Sequence, residues 1–205
     1  MDRLVGVIAF VLLLMLAPAT FAEETVKEAE TGVEFKVVDE QGRTLLGTGV
    51  REKFGFDVYA IAVYAKPSDV RSQMGGAKDP VHALVYGDMS RRIILHFVRT
   101  APGKKIQQNF AETLKLRLTR RQFDVTCKED YDRLLKAVGS GVGKGERILL
   151  DFKGRTLRVF NNEGIELYQT DNVDFARAIY NSFLDERTNS PTLPEGVRRF
   201  FASGT

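Results

Sequence analysis

The chain has 205 residues and sets 30 lysines and arginines against 27 aspartates and glutamates, a net charge of +3 with both signs interspersed. That even mixture excludes the concentrated basic footprint of a nucleic-acid binder. Cys127 is the sole cysteine, which excludes an internal disulfide and leaves stabilisation to a hydrophobic core.

Arg3 precedes an apolar run from Leu4 to Leu16 and then the small-residue stretch APATFA, the layout of a cleavable secretory signal. The expected cut follows Ala22. The run is shorter than the roughly 18–20 apolar residues that span a bilayer, so the expected mature protein is exported, periplasmic or secreted, with no transmembrane span after signal removal. What remains suits one domain, residues 33–205, behind a charged and aperiodic lead-in at 23–32 that is expected to be mobile.

From Val33 the residues alternate as strands do. VEFKVVD, RTLLGTGV, FDVYAIAVYAK and RRIILHFVRT are rich in β-branched and aromatic residues and are separated by turn residues. PSDVRSQMGGAKDP, between the third and fourth, reads as a short helix and a loop. After Pro102 and Gly103 the period changes. Ile106, Phe110, Leu114 and Leu118 recur every four positions, predicting an amphipathic helix to about Thr119, and Tyr131, Leu134, Leu135 and Val138 predict a second. RILLDF, TLRVFNN and GIELYQ return to strand pattern. A third helix, capped by Asp171 or Asn172, runs through Phe175, Ile179 and Phe183; TNSPTLPEG breaks it, and VRRFFA forms a last short one. Strands, helices, strands and helices joined by hairpin-length links predict an antiparallel sheet carrying helices, the α+β class.

Candidate chemistry is sparse. GSGVGKG fails as a phosphate loop: Val138 stands where the first glycine is needed, Gly145 follows the lysine, and the loop runs from helix to strand. His96, in the strand IILHFV, has no Cys or carboxylate at ligand spacing and reads as structural, although one axial histidine beside an apolar pocket would suffice for haem. Arg117, Arg120 and Arg121 read as a solvated helix terminus. Cys127 as a nucleophile would need His82 or His96 as its base.

GTGVREKFGFDVYAIAVY is more specific. If its strands pair about a centre near residue 55, Arg51 faces Tyr59 across the ladder, and Arg51, Tyr59, Ile61 and Val63 share one face. A guanidinium fork and a phenol at the edge of an apolar surface suit a carboxylate or other oxyanion. The plainer alternative is an arginine stem packed over a tyrosine.

These residues resemble the chalcone isomerase family, in particular its bacterial chalcone isomerase-like branch. GTGVR resembles the family's G-x-G-x-R element, and VYAIAVYAK, HFVRT, RILLDF with TLRVFNNEG, and DFARAIYNSFLDE follow in family order across most of residues 33–188. The resemblance implies an open-faced β-sandwich: a long antiparallel sheet, a layer of helices and a ligand cleft between. In the isomerases, a cofactor-independent intramolecular addition uses the arginine matched by Arg51 to stabilise an enolate. Ile106, Asn109 and Thr113 fall where those enzymes carry tyrosine, lysine and asparagine, and Tyr59 replaces their threonine. Arginine with tyrosine resembles instead the non-catalytic, fatty-acid-binding members. The resemblance thus implies binding of a small amphipathic carboxylate, such as a fatty acid, by Arg51 and Tyr59. An isomerase or lyase using Arg51, haem binding as in some mitochondrial relatives, and a scaffold role without a small ligand stay open.

Overall fold

The computed structural model describes residues 23–53, 55–75, 78–188 and 190–203; the expected leader, residues 1–22, lies outside them. A short antiparallel hairpin of β1 (Thr25–Lys27) and β2 (Glu34–Lys36) comes first. Among the described residues, β3 (Thr44–Lys53), β4 (Phe56–Ala65), β5 (Arg91–Phe97), β6 (Arg147–Lys153), β7 (Thr156–Phe160) and β8 (Glu166–Thr170) then form one antiparallel sheet. Each strand lies beside the next in sequence. Helices α1 (Pro67–Gln73) and α2 (Pro80–Tyr86) follow β4; α3 (Gly103–Lys115), a π-helical turn at Gln122–Thr126, and α4 (Lys128–Ala137) follow β5; α5 (Val173–Leu184) and α6 (Thr192–Ala202) follow β8. This is the expected α+β, chalcone isomerase-like open-faced architecture.

Alternation along the strands divides two cores. Ile61 and Val63 of β4, Ile93, Leu95 and Phe97 of β5, and Leu150 of β6 point toward the helices and join α5's Phe175, Ile179 and Phe183 in the main core. The intervening Ala60, Ala62, Tyr64 and Ile94 face the other way and are covered by Phe35 of β2. Tyr64 ties that cover down, its hydroxyl donating to the Lys36 carbonyl at 2.9 Å.

Several expectations are corrected. Part of the supposed mobile lead-in is strand β1, and the buried Glu28 carboxylate organises the turn after it by accepting the Thr31 amide and hydroxyl at 2.8 and 2.7 Å. The sequence lacks an apolar period there because polar contacts hold the turn. Helix α2 is an addition to the expected elements, with only its first residue, Pro80, inside the stretch read as helix and loop; Asp79 caps it by accepting the Val81 amide at 3.1 Å, and Pro80 holds the first helical position, where its missing donor costs nothing. Helix α6 starts at Thr192, inside the expected breaker, because Pro194 falls in the first turn, where no intrahelical donor is required. Helix α3 ends at Lys115 rather than near Thr119, and the π-helical turn follows.

Gly47 and Gly49 let α6 approach β3. A Cβ at Gly47 would lie 3.0 Å from the Val197 amide nitrogen, and one at Gly49 would collide with the Ser190 hydroxyl and lie 2.9 Å from that of Thr192. Gly49→Val is therefore expected to displace α6 and lower stability by about 1–3 kcal/mol, read from the midpoint of a urea melt.

Candidate functional site

The β3–β4 register builds the site. Gly55, at φ +76°, takes the left-handed turn conformation that glycine favours, and the returning strand sets Arg51 directly opposite Tyr59 and Gly49 opposite Ile61. The pairing is the one expected from a centre near residue 55. A register irregularity falls between Arg51 and Glu52, a device that bends a strand and re-aims its side chains beside functional sites.

Above this face lies a cleft of about 280 Å³ between the sheet and α3. Its floor includes Tyr59, Ile61, Leu95 and Phe97, with Ile106 and Phe110 of α3 opposite and Phe183 and Ile148 among the remaining lining. The Tyr59 and Phe97 rings pack at 5.1 Å between centroids, tilted 53° to each other. Four cationic side chains, Arg51, Lys53, Arg99 and Lys105, share the lining, and no described lining residue is a carboxylate. Lys53 donates to Asn109 Oδ1 at 2.7 Å, and the Arg99 guanidinium lies 4.3 Å from the Phe56 ring centroid. Burial pushes the Tyr59 hydroxyl above its ordinary 10.0, and the neighbouring Arg51 charge draws it partly back. Tyr59 is thus a neutral donor at physiological pH. Chemically, the arrangement offers a permanent cation and a phenolic donor to an anion, with an apolar pocket beside them.

Both expected site residues, Arg51 and Tyr59, line this cleft, and so do Ile106, Asn109 and Thr113. Lys53 and Arg99 were missed, although each continues a visible two-residue period: 49, 51, 53 on β3 and 95, 97, 99 through β5. Lys105 and Ser190 carried no comparable signal, because α3 and the segment after α5 reach the cleft only through packing.

His96 is on the other face, paired with Ala60, and its Nδ1 accepts from Arg147 Nε at 3.3 Å. Burial, then the Arg147 charge, holds its ring below the usual 6.5. It does not line the cleft, so the haem ligand considered from sequence is separated by the sheet from the apolar pocket. Arg117 corrects the solvated-terminus reading: its side chain is only 3% exposed and pairs with Asp185 at 2.6 Å, whereas Arg120 is indeed exposed. Cys127 is buried, and burial pushes its thiol up. In the glycine-rich 139–145 segment, the Gly143 amide is taken by Glu146 Oε2 at 2.6 Å, so a carboxylate of the chain itself occupies the place a phosphate would need. No described helix is long and apolar enough to cross a membrane.

An antiparallel sheet with helices over one face and a cation-rimmed apolar cleft between them defines the class. Residues 26–196 match the profile of the chalcone isomerase-like family, and the chain belongs to that family. Among solved structures, a fatty-acid binding protein of Arabidopsis thaliana shares the fold at a TM-score of 0.75 and 24% identity, over 88% of this chain and 98% of that one. No curated protein matches the chain.

Proposed function

We propose that the protein is a non-catalytic binding module for a small amphipathic carboxylate such as a fatty acid, exported behind the leader at residues 1–22. The observation that carries this reading is the cleft: Arg51 and Tyr59 stand opposite each other beside an apolar pocket whose described lining holds four cations and no carboxylate. A guanidinium fork and a neutral phenol supply donors to a carboxylate, and burial of the tail supplies the hydrophobic gain. The fatty-acid binding protein that shares the fold supports the same class of ligand. A cleft of about 280 Å³ falls just below the usual range of ligand pockets, about 300–1,000 Å³. That favours short or medium chains.

The isomerase alternative needs proton donors around a ketone, yet Ile106 presents none where the resemblance places the isomerase tyrosine. The test of the binding reading is native mass spectrometry of the purified protein, then calorimetric titration with decanoic acid and decan-1-ol. Retention of an acidic amphiphile and a clear preference for the acid are expected; equal affinity for acid and alcohol would remove the head-group role.

The pH profile supplies a second check. Tyr59 stays neutral until above its ordinary 10.0, and a guanidinium carries its charge throughout the ordinary pH range, so the acid limb belongs to the ligand carboxyl, near about 4.3 if it behaves like a glutamate side chain. Affinity is expected to be full above that value and to fall as pH drops through it, with an alkaline loss only beyond 10.0. A bell centred near pH 7 would contradict the assignment.

A further inference from the structure

Ser190 is only 1% exposed and lines the cleft, yet its Oγ has no hydrogen-bond partner among the described residues. Its main chain is fully engaged. The amide donates to Thr188 Oγ1 at 3.2 Å, the carbonyl accepts the Leu193 amide at 3.2 Å, and Thr188 is itself anchored by donating to the Phe183 carbonyl at 3.0 Å. The segment after α5 is therefore fixed at both sides of a hydroxyl that is left unsatisfied. Such an orphan costs stability, and native proteins keep few of them without a ligand, a water or a catalytic use.

Its position says which use. The hydroxyl lies so close over Gly49 that a Cβ there would collide with it. Gly49 is two residues before Arg51 on the same face of β3, and its cross-strand partner Ile61 is two residues after Tyr59. The orphan hydroxyl thus packs over the backbone one strand repeat from Arg51, on the face that Arg51 and Tyr59 share, and the missing side chain at Gly49 provides its space.

We infer that Ser190 is a third head-group ligand, donating its hydroxyl to a carboxylate oxygen held by Arg51 and Tyr59. The inference rests on the carboxylate-binding reading and sharpens it: three donors from β3, β4 and the α5–α6 segment converge on one anion, so the site distinguishes a two-oxygen head from an alcohol. In the unliganded protein the serine is a liability to the fold, and the ligand relieves it.

The experiment compares wild type, Ser190→Ala and Ser190→Cys for decanoic acid and decan-1-ol by calorimetry, with thermal melts of the unliganded proteins. Cysteine keeps the shape but is a weak donor. Both variants are expected to bind decanoic acid about tenfold more weakly, as loss of one hydrogen bond to a charged group implies. Decan-1-ol should change by about twofold or less, a smaller loss for a neutral partner, while the unliganded melting midpoint of Ser190→Ala stays level or rises. Acid affinity within about twofold of wild type, or equal losses for acid and alcohol, would overturn the inference while leaving the carboxylate reading standing. Wild type showing no preference for the acid would overturn both.

Discussion

Arg51→Ala is expected to weaken binding of decanoic acid by about thirtyfold, near 2 kcal/mol, with little change in the thermal midpoint of the unliganded protein. The guanidinium is half-buried at the cleft, so its contacts with a carboxylate are partly shielded from water and stronger than those of a surface pair. Lys53→Ala and Arg99→Ala remove cations from the same lining, but a point charge or an exposed side chain is more fully screened, and about threefold is expected from each. Arg51→Lys keeps the charge and loses the planar fork, so an intermediate loss should follow. Calorimetric titration with the acid reads all four. If Arg51→Ala bound the acid as wild type does, Arg51 would be a structural residue and the anion site would have to be sought elsewhere.

Asp39→Ala is expected to have the largest effect on stability, about 3–5 kcal/mol, because it removes the nearest anion from a buried cation and leaves it only the longer contact with Asp151, 3.3 Å away. Arg43 is 1% exposed, and Asp39 Oδ2 lies 2.7 Å from both its Nε and Nη2. Asp39 Oδ1 also accepts the Gln41 and Arg43 amides, each at 2.9 Å. Arg43 then shares Asp151 with Arg92, which donates to that carboxylate twice at 2.6 Å. The network joins the turn before β3 to β5 and β6 on the face away from the cleft, so it holds the start of the strand that carries Arg51. Chemical denaturation should show the loss in the unfolding midpoint, with a melting temperature lower by about 6–20 °C for a chain of this size. A loss under about 1 kcal/mol would mean that water enters and screens Arg43.

The site and the fold were legible to different depths. Arg51 opposite Tyr59 could be foreseen because a hairpin is local: one short turn sets the register, and alternation then assigns every side chain to a face. The two cores follow for the same reason, since Ile93, Leu95 and Phe97 cannot share a face with Ile94 and His96. Helix α2 was missed although Asp79 and Pro80 form a start signal, because glycines and proline nearby weigh equally toward a loop. Arg117 looked like a solvated terminus; only α5 arriving with Asp185 made it a buried ion-pair residue.

By itself the sequence determined which residues alternate, where the helical period begins, and the Arg51–Tyr59 pairing across a single turn, because each depends on steric preferences within a few residues. Tertiary structure decided the rest. It carried α3 over the sheet to close an apolar cleft, brought Lys105 to the lining that Arg51 shares, and set Ser190 over the bare backbone of Gly49. Those juxtapositions join residues far apart in the chain, and they are selected by burial of the whole apolar surface rather than by any local pattern.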